Sequence, residues 1–286
     1  MKKGMVLSKV GNLGLADALK AYARAGFEGV EVRMQEKRDG FSLSPWSSEE
    51  EVRAFRREIE RAGLEVPSVM GGLHWQYPLT SPDPKVVDKC MESIRLTLKT
   101  ARMLGADTVL VVPGVVNEET PYDVAYERAL GALRELAPEA EREKVYIGVE
   151  NVWNKFLLSP LEMARFVDEV GSDYVRAYFD VGNVVLFGFP QQWIRILGKR
   201  ICKVHLKDFG QRGGFTYLFQ GDVDWPEVVR ALREVGYDGY LTAELAPYRH
   251  FPEKMLRDTA GAIAVSYTHL RAHETRHDLV CRLLLE

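Results

Sequence analysis

Short apolar, β-branched runs alternate along this chain with longer stretches whose apolar positions recur at helical spacing. That alternation predicts strand after strand, each followed by an amphipathic helix. Strands are expected at Met5 to Leu7, Gly29 to Arg33, Glu65 to Met70, Thr108 to Val112, Val145 to Glu150, Val175 to Asp180, Ile201 to Lys207 and Tyr240 to Glu244. The intervening helices run from Leu15 to Ala25, from Ser47 and Ser48 onward, Pro84 to Leu104, Tyr122 to Glu143, Pro160 to Val170, Gln191 to Leu197, Pro226 to Val235 and Pro252 to Val265. Ser48 with Glu51 three residues later is a capping-box pattern, and Asp224 before Trp225-Pro226 marks another helix start. Strand–helix pairs repeating roughly every thirty residues predict an α/β fold of the (β/α)8 TIM-barrel type in a single domain. The doubly wound alternative lacks its fingerprint: no G-x-G-x-x-G follows a strand, and Gly210 to Gly214 reads only as a glycine-rich loop.

Composition narrows the function classes. A net charge of −3 gives no basic surface for nucleic acid or anionic membrane. No apolar run approaches the length of a membrane span, and no secretory signal is read at the start. Three widely spaced cysteines argue against a disulfide framework, so a reducing cytoplasm is the expected setting. The final run, SYTHLRAHETRHDLVCRLLLE, changes character and resembles a translated sequencing-adapter segment. Residues 1–265 are therefore read as the catalytic barrel and 266–286 as a non-native tail, whose His269, His273 and His277 carry no weight.

The chemistry gathers at the strand ends, which in such a barrel open into one shared mouth. Strands five to eight end or nearly end in Glu150, Asp180, His205 and Glu244. Carboxylates crowded into one dry mouth repel each other unless a cation sits among them. One imidazole with carboxylate oxygens suits one divalent ion, manganese or magnesium first, with cobalt or zinc as substitutes. Lys207 lies two residues beyond His205 and shares its face. It either meets a substrate oxygen or pairs with a neighbouring carboxylate. His74, in a long loop after strand three, is read as a substrate contact or else a hydrogen-bonded loop histidine. Trp153 and Phe156 are read as an apolar wall for a sugar or as loop packing. Glu31 and Arg33 alternate inward and are read as a structural ion pair or a substrate contact.

The segments V-E-N, F-D-V-G-N, V-H-L-K-D and A-E-L together resemble the sugar phosphate isomerase/epimerase superfamily of xylose-isomerase-like barrels. Within it the chain is similar to ketose and ketose-phosphate 3-epimerases, over residues 1 to 265. The resemblance implies that Glu150, Asp180, His205 and Glu244 ligate the metal. It also implies that Glu150 and Glu244 are the catalytic acid/base pair, moving the C3 proton of a ketose or ketose phosphate through a metal-stabilised enediolate. It implies Asn183 and Arg212 as further substrate contacts. Asn183 stands where free-sugar epimerases carry histidine, and Arg212 is one residue out of their register. A homo-oligomer is the implied assembly. An aldose–ketose or hydroxypyruvate-type isomerase, a keto-polyol dehydratase and a sugar-binding regulator without turnover are the alternatives. A DNA endonuclease of the same barrel type needs several zinc ions and more histidines than His74, His205 and His250.

Overall fold

The computed structural model describes residues 1–266. The tail and its histidines lie outside the described residues, apart from Ser266. The eight barrel strands are β1 (Lys2–Val6), β2 (Gly29–Met34), β4 (Val69–Met70), β5 (Thr108–Val111), β6 (Tyr146–Glu150), β7 (Val175–Asp180), β8 (Ile201–Leu206) and β11 (Tyr240–Ala243). Each pairs in parallel with its neighbours, and β1 pairs with both β2 and β11, which closes the ring. The two-residue β3 (Ser42–Leu43) extends β2 outside the ring, and β9 (Asp208–Gly210) pairs antiparallel with β10 (Gly214–Thr216) above it.

Helices α1 (Leu15–Ala25), α2 (Glu49–Arg61), α3 (Pro84–Leu104), α4 (Tyr122–Glu143), α5 (Pro160–Val170), α6 (Pro190–Leu197), α7 (Trp225–Glu234) and α8 (252–266) cover the outside. Their starts follow the sequence signals. Ser48 Oγ accepts from the Glu51 amide while Glu51 returns a carboxylate to the Ser48 amide at 2.8 Å, closing the box. Asp224 accepts from the Glu227 amide at 3.1 Å, so helix capping accounts for this residue. Along the strands, Val30, Val32, Val109, Val149, Ala177, Phe179 and Val204 are fully buried and join the apolar cluster that includes the helices. Glu31, Ser68, Tyr178, His205 and Thr242 are also fully buried, and they form a polar layer instead. Among the described residues, no helix is long and apolar enough to cross a membrane.

Three local departures have identifiable causes. The strand expected at Glu65 to Met70 shrinks to Val69–Met70, with an isolated bridge from Glu65 to Gly29. Pro67 lies between and has no N–H to give to the ladder. The glycine-rich run Gly210 to Gly214 forms the turn of the β9–β10 hairpin. The helix predicted from Gln191 begins one residue earlier, at Pro190, where a missing N–H costs nothing.

Candidate metal centre

The barrel brings the four strand-end residues together. Glu150 and Asp180 close β6 and β7, His205 is the penultimate residue of β8, and Glu244 follows β11. One donor atom from each lies within 4.8 Å of the others. His205 Nδ1 is 3.2 Å from Glu150 Oε1, 3.7 Å from Glu244 Oε2 and 3.9 Å from Asp180 Oδ2. Bonds from a divalent ion to such donors run about 2.0–2.2 Å, so donors sharing one ion sit roughly 3–4.4 Å apart. The set needs a contraction of a few tenths of an ångström at most.

Two further observations fit an ion. Asp180 Oδ2 and Glu244 Oε2 are buried without a hydrogen bond of proper geometry. Besides His205, the Lys207 ammonium is the counter-charge beside them, 3.2 Å from Asp180 Oδ2 and in contact with Glu244 Oε2. Asp180 is also aimed: its Oδ1 accepts from the Asn183 amide at 2.8 Å, which leaves Oδ2 facing the centre. Asn151 holds the Asp180 backbone from both sides, accepting from its amide and donating to its carbonyl, each at 2.8 Å.

The electrostatics follow from burial and crowding. Burial pushes the Glu150 carboxyl up to about 7, with His205 pulling the other way. Burial also raises Asp180 against the pull of Lys207. For Glu244, burial is outweighed by His205 and Lys207, and its carboxyl sits below the usual range. His205 is driven well above an ordinary imidazole, because Glu31 and Glu150 overcome the effect of burial. Carboxylates around Lys207 likewise outweigh its burial and raise it.

Glu31 is the site residue whose part the sequence did not disclose. It does not pair with Arg33. Its Oε2 is 2.7 Å from His205 Nε2, behind the ring as seen from the donors, and its Oε1 accepts from Tyr178 OH at 2.7 Å. A proton on Nε2 directed at Glu31 leaves the Nδ1 lone pair for an ion, the carboxylate–histidine–metal arrangement. Arg33 instead donates to the Leu7 carbonyl at 3.1 Å and lines the mouth.

The mouth above the donors has two adjoining lobes of about 400 and 560 Å³ that share Arg33, Met70, Lys207, Phe215 and Glu244. Glu150, Trp153 and Asn183 line the first lobe. Trp153 is fixed there by donating Nε1 to the Asn183 carbonyl at 2.9 Å. Phe156 is not part of the wall; it is buried against Tyr122, Tyr126 and Phe166. Arg212 is exposed on the β9–β10 turn and lines neither lobe.

His74 is placed away from the mouth. It is 2% exposed, with Nε2 3.4 Å from the Leu110 carbonyl and Nδ1 facing Cys90 Sγ at 3.8 Å. Burial takes its pKa down to about 4, so the ring is neutral. Gly71 and Gly72 cause this. A Cβ on Gly72 would lie 1.8 Å from the Met34 carbonyl, and one on Gly71 2.4 Å from the His74 ring. The loop therefore presses against β2, turns His74 inward and presents Trp75, 56% exposed, to the mouth.

L-ribulose-5-phosphate 3-epimerase UlaE of Escherichia coli (strain SMS-3-5 / SECEC) is 25% identical over 232 residues, covering 80% of this chain and 81% of that protein. A solved L-ribulose 3-epimerase superposes with a TM-score of 0.79 at 19% identity, over 98% of this chain and 97% of that one. D-psicose 3-epimerase from Clostridium cellulolyticum H10 gives 0.75 at 19% identity, over 93% and 98%. These two structures speak to the fold. The family model described as xylose isomerase-like TIM barrel matches residues 19–265, and the chain belongs to that family.

Proposed function

We propose that this protein is a carbohydrate epimerase that inverts C3 of a small ketose or ketose phosphate. In this reading Glu150, Asp180, His205 and Glu244 hold one divalent ion, manganese by preference, and Glu150 and Glu244 exchange the proton. The observation that carries the proposal is the convergence of two glutamates with an aspartate and a carboxylate-backed histidine beneath one mouth. The names of the relatives agree with it: they are ketose or ketose-phosphate 3-epimerases.

The residues divide the work as follows. Glu150 and Glu244 stand on β6 and after β11, with β7 and β8 between them, so their carboxylates reach the centre from two sides. One takes the C3 proton, and the C–H electron pair moves into a C2–C3 double bond as the carbonyl becomes an enediolate oxygen. The other returns a proton to the opposite face of C3. Their environments set them apart, Glu150 raised and Glu244 lowered, as an acid and a base require. A bound divalent ion supplies Lewis acidity toward the ketose oxygens. Lys207 adds a fixed positive charge at the same edge, and Trp75, Trp153 and Phe215 offer apolar faces to the carbon skeleton.

Incubation with manganese and a panel of ketoses and ketose phosphates in D₂O tests this. Deuterium at C3 with formation of the epimer is expected. Deuterium at C1 or C2 alone would make the protein an isomerase, and a new ultraviolet-absorbing product would make it a dehydratase.

A further inference from the structure

Asp208 directly follows Lys207, and the chemistry proposed above leaves this acid without a task. It is fully buried and lines neither lobe of the mouth. Its carboxylate faces the root of segment 209–224, which crosses from β8 to α7. Oδ1 accepts from the amides of Phe209 at 2.8 Å and Val223 at 3.2 Å. Oδ2 accepts from the amide of Phe219 at 3.0 Å and from Trp225 Nε1 at 2.9 Å. One side chain thus grips the segment near its start, middle and end, together with the first residue of α7. Gly221 makes the grip possible, since a Cβ there would lie 2.2 Å from Asp208 Oδ1.

What rides on this segment is the wall of the substrate space. Phe215, at the centre of β10, packs between Trp153 (ring centroids 4.7 Å apart) and Phe209 (5.3 Å), and Lys207 Nζ lies 5.2 Å from its centroid. Phe215 lines both lobes, and Thr216 and Tyr217 line the larger one. None of the four metal donors belongs to the segment.

We propose that Asp208 is the positioning residue for substrate recognition: it clamps segment 209–224 and so fixes the Phe215 wall, without acting on the metal donors. The proposal rests on the reading that this mouth takes the substrate. An asparagine keeps the shape but turns an N–H toward donors that need an acceptor, so the clamp opens.

The experiment compares wild type, Asp208→Asn, Gly221→Ala and Phe215→Ala on the ketose that wild type turns over best. Asp208→Asn and Gly221→Ala should each raise KM about tenfold or more, leave kcat within about threefold, and keep manganese affinity within about twofold. Amide hydrogen exchange of 209–224 should quicken in both. Phe215→Ala should reproduce the KM shift, and Asp208→Asn should add little to it. Unchanged KM despite a loosened segment would overturn the proposal, as would a parallel loss of manganese affinity. Gly221→Ala carries the test if Asp208→Asn does not fold. Absence of C3 exchange in wild type would instead sink the functional reading. The clamp is then judged from amide exchange alone, and protection equal to wild type in both variants overturns it.

Discussion

Replacing Glu31 by glutamine tests how the centre is built without touching a donor. Glu31 and His205 are both fully buried, and the bond between them is 2.7 Å. Glutamine has nearly the same volume and keeps an oxygen for Tyr178 or for Nε2, so the barrel should persist. What is lost is the negative charge behind the imidazole, which fixes the Nε2 proton and strengthens Nδ1 as a donor. Outer-shell partners of this type typically contribute about 10–100-fold in metal affinity, or roughly 1.4–2.7 kcal/mol. Titration calorimetry with manganese should therefore show Glu31→Gln binding about 10–100-fold more weakly than wild type, with the thermal midpoint little changed. Glu31→Ala should also lose stability, because it leaves Tyr178 OH and His205 Nε2 without partners in a dry interior, at about 1–3 kcal/mol each. Manganese affinity of Glu31→Gln within about twofold of wild type would refute the reasoning, since it would mean that His205 is presented without help from behind.

Three further outcomes are expected. Glu150→Gln and Glu244→Gln should each lower C3 deuterium exchange by at least about 100-fold while far-ultraviolet circular dichroism is retained; near-normal exchange in both variants would contradict their assignment. Metal binding should weaken as pH falls, because Glu150, raised to about 7, and His205, raised well above its ordinary value, both hold protons that an ion must displace. Calorimetry between pH 8 and pH 6 should show affinity dropping about tenfold or more, with protons released on binding, and a flat profile would count against that set. Ser48→Ala should destabilise the fold by about 1 kcal/mol through loss of the α2 cap, read from denaturant unfolding, with manganese affinity unaltered.

The barrel could be read from the chain because its signals are local: apolar strand runs, helical spacing, and caps such as Ser48 and Asp224. The four-residue cluster could be read because the ends of successive barrel strands meet in one mouth, where polar residues recur. Glu31 was harder. Its neighbour two positions on is Arg33, an obvious local partner, whereas its true partners Tyr178 and His205 lie 147 and 174 residues away. Strand alternation did show that Glu31 points inward, and a buried acid facing a histidine strand was the signal available. For His74 both a substrate contact and a hydrogen-bonded loop histidine stood open, because its burial depends on how closely Gly71 and Gly72 let the loop approach β2. Gly210 to Gly214 reads only as a glycine-rich loop because the Asp208 grip on Phe219, Val223 and Trp225 spans residues with no shared pattern.

The most direct test of the account is to locate the ion. Crystals grown or soaked with manganese, measured on both sides of the manganese absorption edge, should show one anomalous peak per chain among Glu150, Asp180, His205 and Glu244, with Lys207 outside the coordination sphere. A peak elsewhere, or none at manganese concentrations that support C3 exchange, would contradict the account.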